Sequence, residues 1–152
     1  MAELAKSWCF EEATLGVAAL NAYYARKELL DPLGATYDEP IELPDGTGDA
    51  AYLDALDLAL VELDSRFRPD AVFYLAGADP FEGDRLGRLK LTKAGLAARD
   101  ALVLGECRRL GLPVAIAMAG GYARNIDDTV DIHAMTVTTA ARLFRQPRAA
   151  SL

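Results

Sequence analysis

Two short apolar segments, each followed by a glycine-containing turn, most constrain what this chain can fold into. The first, residues 71–75, reads AVFYL, and the second, residues 113–118, reads PVAIAM. Between them Thr92 is a favourable N-cap for a helix that runs to about Leu110 and stops at Gly111. Two apolar strands joined by a helix predict a right-handed parallel connection, with the first strand central and buried on both faces. The expected fold class is therefore α/β.

Apolar residues at helical spacing predict three more helices. One covers about 10–27, one begins at Asp49 as its N-cap and ends near Arg66, and the last covers about 126–144. The segment 30–48 is rich in proline and glycine and is predicted as a loop, with room for a short strand near 41–43. The last helix is expected to bury one stripe of side chains, made of Ile126, Val130, His133, Val137 and Phe144.

Composition narrows the classes of function. Hydrophobic residues make up 52% of the chain and charged residues 26%, as in a soluble globular protein. The net charge of -7 leaves no basic surface for nucleic acid or for an anionic membrane. The sequence has no recognisable signal peptide and no stretch long enough to span a membrane. Cys9 and Cys107 lack metal-binding or redox spacing, so we expect reduced core thiols in a cytoplasmic protein.

Polar side chains follow both predicted strands. Asp79 comes after the first, where Gly77 permits close backbone approach; its carboxylate could ligate zinc or stabilise the bend before Pro80. Tyr122 follows the second strand on Gly120–Gly121, where its phenol could donate to an oxyanion or simply cover the sheet end. The glycines could alternatively hold an anion at the start of the last helix. Because parallel strands end at one edge, Asp79 and Tyr122 are expected to face a common cavity.

Both turns resemble those of one family. The runs GADPFEGDRLG at 77–87 and AGGYARN at 119–125 are similar to motifs in the C-terminal half of the zinc-dependent histone deacetylases, including bacterial acetoin-utilisation-like members. With the DGTGD turn at 45–49, which also reads as a local turn and helix cap, the resemblance covers about residues 41–141. It implies a partial parallel sheet of the arginase/deacetylase type with flanking helices.

The resemblance also implies roles for single residues. Asp79 would be a zinc ligand, and Tyr122 would be the catalytic residue that polarises the amide carbonyl. The rim of the active-site tunnel, which receives the substrate, would be formed by Gly120, Gly121, Asp84 and Arg85. Read from the residues alone, Asp84 and Arg85 form a solvated ion pair of little energetic value.

The family also needs residues that this sequence lacks. Its paired general acid/base histidines and its Asp-x-His motif, which supplies two of three zinc ligands, lie in the first half of the domain. The one histidine here, His133, falls on the predicted last helix, where a core or interface side chain is the simpler interpretation. Asp131 lies two positions earlier, but side chains at i and i+2 diverge on a helix and cannot easily grip one ion.

The predicted function is therefore a histone deacetylase-like zinc amidohydrolase domain that acts on an acetylated amine or lysine-like substrate, truncated and inactive as an isolated chain. Whether the chain is an enzyme stays open, because most metal ligands and the catalytic histidines are missing. The alternative is a non-catalytic α/β module for binding or oligomerisation, arising from a natural truncation or a chimera. A thin sheet with an exposed face favours a homo-oligomer or a partner that supplies the missing half.

The start of the chain resembles a different family. Residues 5–26, AKSWCFEEATLGVAALNAYYAR, are similar to a helix of Rossmann-like proteins described as heavy-metal chelatases. The predicted organisation is thus a helical segment of different ancestry at 1–38, a deacetylase-like α/β domain at 39–146 that represents only the C-terminal half, and a tail at 147–152.

Overall fold

A computed structural model describes residues 22–25, 41, 43–66 and 69–145. It confirms the α/β class and three of the four predicted helices. In chain order the elements are β1 (Ala22–Ala25), α1 (Asp49–Arg66), β2 (Ala71–Ala76), α2 (Lys93–Leu110), β3 (Val114–Met118) and α3 (Ile126–Arg145). Within these described ranges, no helix is long and apolar enough to cross a membrane.

The helix predicted over 10–27 is wrong at 22–25, which form strand β1. The reason is pairing: β1 runs antiparallel to β2 from Ala22↔Tyr74 to Ala25↔Ala71, and tyrosines favour strands when an edge is available. The remainder of that predicted helix, Cys9 and the 147–152 tail lie outside the described residues. At 41–43, the described residues 41 and 43 are not in a strand.

The sheet has the order β1-β2-β3, with β2 in the centre. Strands β2 and β3 are parallel, in register from Val72↔Val114 to Ala76↔Met118. This confirms the predicted parallel connection and places the C-terminal ends of both strands at the same edge of the sheet. The turns after Ala76 and Met118 are therefore brought side by side.

Helix α2 is capped as the sequence predicts. The Thr92 hydroxyl accepts a hydrogen bond from the Gly95 amide at 3.0 Å, and Gly111 ends the helix in the left-handed conformation with φ 76°. Asp49, predicted as the N-cap of α1, is instead its first residue. The Asp49 carboxylate accepts from the Thr92 amide at 2.8 Å and from the Thr92 hydroxyl at 2.7 Å, so it joins the start of α1 to the start of α2.

The hydrophobic core lies between β2 and helices α1 and α2, and α3 packs on α2. Cys107 is buried there as a free thiol, as predicted. The largest buried apolar side chains come from α1, from β2, from the segment that leads into α2 and from α2 itself, and they include Tyr52, Leu56, Val72, Tyr74, Leu91, Leu96 and Leu104.

The predicted burial of β3 and of the α3 stripe is wrong. Met118 on β3 is 73% exposed and Val137 on α3 is 60% exposed. Helix α3 instead turns a threonine-rich face towards α2, where the Thr136 hydroxyl donates to the buried Asp100 carboxylate. Satisfying that buried carboxylate outweighs burial of the valines, because an unpaired buried charge is far more costly than exposed apolar surface. Phe73 is also exposed, so β2 is buried on one face only.

Candidate active site

The Asp79 carboxylate lies where the turns after β2 and β3 meet. Its Oδ1 atom is 2.3 Å from the position that a Cβ on residue 77 would occupy and 3.2 Å from the corresponding position on residue 120. Gly77 and Gly120 therefore leave the space that the carboxylate fills. The Ala78 amide donates to the Gly120 carbonyl at 2.6 Å, which joins the two turns directly.

The buried Asp84 carboxylate holds the loop after β2 to the turn after β3. It is 7% exposed, so the interpretation as a solvated ion pair is wrong for this residue. It accepts three backbone N–H groups, those of Leu86 and Gly87 at 2.8 Å and that of Tyr122 at 2.5 Å. Burial raises the pKa of Asp84, but these N–H groups outweigh it and hold the pKa below its usual range.

Further hydrogen bonds join the loop after β2 to the turn of Tyr122. The backbone amide and the Nε atom of Arg85 both donate to the Tyr122 carbonyl at 3.2 Å. The Arg124 amide donates to the Gly83 carbonyl at 3.2 Å. Arg85 is exposed and its side-chain hydrogen bond goes to the turn, while its charge also helps to lower the pKa of Asp84.

Gly121 is required where it stands. Its φ is 155°, and a Cβ there would lie 2.9 Å from both the Ala78 Cβ and the Thr129 Cγ2 atoms. The turn therefore packs its backbone between the first loop and α3. Tyr122 follows immediately with its side chain 54% exposed. The structure thus brings the backbone of Tyr122 to Asp84 and that of Gly120 to Asp79, while the role of the phenol and its facing of a cavity shared with Asp79 stay predictions.

Two buried residues beneath Asp79 escaped the sequence analysis. Arg99 and Asp100 on α2 form an ion pair of 2.7 Å with side-chain exposures of 0% and 1%. A signal for them existed, because both positions fall on the apolar stripe of α2 that also carries Leu96 and Val103. Burial raises the pKa of Asp79, and the Arg99 charge opposes that rise.

His133 lies closer to this site than the sequence indicated. It is half-buried on α3, and its Nδ1 atom is buried with no hydrogen-bond partner. Burial lowers the pKa of His133, and the Arg99 charge lowers it further. Asp131 points elsewhere, since its carboxylate pairs with Lys93 at 2.7 Å. The two side chains therefore diverge, as predicted from their spacing.

The described residues alone do not form a zinc site. Among them, no group of three or more histidine, cysteine, aspartate or glutamate side chains is placed to hold a metal ion. Catalytic zinc sites use about three protein ligands. Asp79 offers a single carboxylate, so any zinc bound here would need ligands from outside the described part of the chain.

Comparisons with known proteins point to one family. The model of the histone deacetylase domain matches residues 25–138, a match that starts earlier than the predicted residue 41. An uncharacterised protein of Picosynechococcus sp. is 47% identical over 107 residues, which are 70% of this chain and 36% of that protein. Histone deacetylase 2 of Arabidopsis thaliana is 37% identical over 98 residues, 62% of this chain and 25% of that protein.

A solved structure gives the same result for the fold. The crystal structure of acetylpolyamine aminohydrolase from Burkholderia pseudomallei superposes with a TM-score of 0.58 at 28% identity, covering 68% of this chain and 28% of that one. The sequence of an acetylpolyamine amidohydrolase from the same organism is 34% identical over 92 residues, 59% of this chain and 25% of that protein. This chain therefore spans between 25% and 36% of the length of these relatives.

Proposed function

Because this chain belongs to the histone deacetylase family, we propose that it carries part of the site of a zinc-dependent amidohydrolase that cleaves acetyl amides. One observation carries the proposal: the Asp79 carboxylate, at the end of a parallel strand, lies against Gly120 on the neighbouring turn. Open α/β sheets place their ligands at this edge, beyond the carboxyl ends of the strands.

Each candidate residue has a distinct task in this proposal. Asp79 offers a partly buried carboxylate to a metal. Tyr122 offers a phenol O–H that could donate to a carbonyl oxygen as negative charge develops on it. Asp84 and Arg85 act on the turn and not on the substrate, because their contacts are to the backbone of Tyr122. Gly120 and Gly121 provide the close approach of that turn.

In this proposal the described residues supply only part of the site. With one carboxylate against the roughly three ligands of a catalytic zinc, metal binding should be weak. The resemblance implies that the family's acid/base histidines lie in the first half of the domain, and His133 instead sits on α3, where burial lowers its pKa. We therefore expect no hydrolysis from this chain by itself. Residues from a complementary deacetylase segment would have to complete the site.

The substrate class in this proposal is an acetylated amine or lysine-like amide. It comes from the names of the relatives, since one is a histone deacetylase and another an acetylpolyamine amidohydrolase. The net charge of -7 is compatible with a substrate that is itself positively charged, such as a polyamine or a lysine-rich peptide.

Zinc titration of the purified chain tests the proposal. We expect weak saturable zinc binding that is lost in Asp79→Ala and retained in Asp54→Asn, which changes an exposed aspartate on α1. Zinc binding that is absent, or equal in wild type and Asp79→Ala, would refute the role of Asp79. Acetate release from an acetyl-lysine peptide is measured in parallel. Zinc-dependent turnover by the chain alone would overturn the statement that its site is incomplete.

A second candidate function is a non-catalytic oligomerisation module. It is favoured by exposed apolar residues on β3 and α3, which border an open groove of about 790 Å³. Its lining includes Ile116, Ala140 and Phe144. Light scattering discriminates the two: a zinc-free dimer that dissociates in Ile116→Asp favours the module, and a monomer with Asp79-dependent zinc binding favours the amidohydrolase.

A further inference from the structure

We propose that Arg99 is the positioning residue of this site: its buried guanidinium holds the Gly77 carbonyl and thereby orients the loop that presents Asp79. The inference rests on the proposed function, which makes the orientation of Asp79 matter. The geometric statement itself concerns only the described loop, helix α2 and the contacts between them.

The contact is short and directional. The Nη1 atom of Arg99 donates to the Gly77 carbonyl at 2.6 Å, with the guanidinium fully buried. Gly77 is the first residue after β2 and stands two positions before Asp79. A planar guanidinium donates along fixed directions, so it sets the direction of a carbonyl more tightly than a flexible ammonium does. The carbonyl of Gly77 is thereby fixed at the point where the chain leaves the sheet.

Asp100 keeps the guanidinium of Arg99 in place. Its Oδ1 atom accepts from the Nε and Nη2 atoms of Arg99 at 2.9 and 2.7 Å and from the Tyr74 hydroxyl at 2.5 Å. Its Oδ2 atom accepts from the Thr136 hydroxyl at 2.5 Å. Asp100 is therefore held from β2 and from α3, and Arg99 is held by Asp100 while its Nη1 atom is directed at Gly77.

The first residue of the loop needs such a hold, although Ala78 and Phe81 further along the loop are packed in the core. Residue 77 must be glycine for the Asp79 carboxylate to occupy its present position, so no side chain can anchor the chain there. Hydrogen bonds take over this function: Arg99 holds the Gly77 carbonyl, and the Ala78 amide is held by the Gly120 carbonyl at 2.6 Å. Loss of the hydrogen bond from Arg99 should therefore weaken the one between the Ala78 amide and the Gly120 carbonyl.

The ion pair is also an unusual way to stabilise a core. Apolar residues of similar volume often replace a buried pair at no cost or with a gain in stability, so stability alone does not account for it. Among the described residues, the pair's side chains make their backbone hydrogen bond to the carbonyl of Gly77, at the site. Holding that carbonyl is the function that the contacts of Arg99 support.

Amide hydrogen exchange at Ala78 tests the proposal. The variants are Arg99→Gln, Arg99→Lys and the control Thr136→Val, which removes a donor to Asp100 but leaves the Gly77 contact intact. Protection is compared after subtraction of the change in global stability. We expect exchange of the Ala78 amide to be about tenfold faster in Arg99→Gln, intermediate in Arg99→Lys and unchanged in Thr136→Val. The ¹³C shift of the Gly77 carbonyl should move in the same order.

Equal protection of the Ala78 amide in Arg99→Gln and Thr136→Val would overturn the proposal. If Arg99→Gln does not fold, Arg99→Lys decides the question. A loss of Ala78 amide protection greater than that in Thr136→Val supports the positioning role, and an equal loss of protection refutes it. The exchange and chemical-shift measurements are made without metal. Failure of the proposed amidohydrolase function is seen separately, as zinc binding that ignores Asp79→Ala, so the two failures are distinguishable.

Discussion

Replacing Asp84 with asparagine should destabilise the protein while leaving its volume almost unchanged. The carboxylate accepts three backbone N–H groups, and hydrogen bonds to a charged acceptor contribute about 1.5–3 kcal/mol each against about 1 kcal/mol for neutral ones. Asparagine can keep the bonds from Leu86 and Gly87 as neutral bonds, but it turns an N–H₂ group towards the Tyr122 amide. The expected loss is therefore about 2–4 kcal/mol in the free energy of unfolding.

Urea denaturation at pH 7 measures this loss, with Asp54→Asn as the matched control on an exposed position of α1. The control should stay within about 0.5 kcal/mol of the wild type. The wild type and Asp84→Asn should also differ in acid. Because the pKa of Asp84 is lowered in the folded state, its contribution is present above the unfolded pKa of about 3.9 and is lost as the pH falls through the folded value.

The stability difference between the wild type and Asp84→Asn should therefore shrink below about pH 4. The reasoning is refuted if Asp84→Asn costs no more than Asp54→Asn at pH 7. It is also refuted if the difference persists unchanged in acid, because the stabilisation would then not come from the ionised carboxylate. The ¹⁵N signal of the Tyr122 amide offers a local check, since it should shift in Asp84→Asn and not in the control.

Three other predictions follow from single contacts. A Cβ on Gly95 would lie 1.9 Å from Asp49 Oδ1, so Gly95→Ala should lower the free energy of unfolding of the wild type by about 1–2 kcal/mol. In the Asp49→Ala background the same change should raise it by about 0.5–1 kcal/mol, because alanine favours a helix over glycine. A double-mutant cycle detects this reversal of sign. Burial raises the pKa of Cys107 to about 11, so in a Cys9→Ser background its thiol should react with a disulfide reagent at pH 8 about a hundredfold slower when folded than in urea. Burial and Arg99 lower the pKa of His133, so stability should fall as the pH drops below the unfolded value of about 6.5, and His133→Phe should remove that slope in urea titrations.

The sequence predicted well those parts of the fold that local rules decide. Thr92 and Gly111 define the ends of α2 because capping depends on a few neighbouring atoms. The strand at 71–76 and the turn of Asp79 were predictable because a short apolar run bounded by breakers has few alternatives. The meeting of that turn with Gly120 follows from the parallel pairing of β2 and β3, which the intervening helix indicates.

The wrong predictions concern features that contacts between distant parts of the sequence decide. Strand β1 reads as helix by periodicity, and its pairing with β2 at the sheet edge overrides that pattern. Helix α3 was expected to bury its valines, but the Asp100 carboxylate attracts the Thr136 hydroxyl and rotates the helix towards it. Arg99 and Asp100 were missed because their partners, Tyr74, Gly77 and Thr136, lie on other elements far away in the sequence.

The Asp79 carboxylate occupies the space that a side chain on residue 77 would need, so the residue at 77 affects where that carboxylate lies. A methyl group on residue 77 would overlap only the outer oxygen of a rotatable carboxylate, so the chain could still fold by swinging that group aside. A change from glycine to alanine would thus displace the Asp79 carboxylate without unfolding the chain. If Asp79 is the proposed metal ligand, a homologue with alanine at this place would keep the fold and lose the carboxylate from its present position.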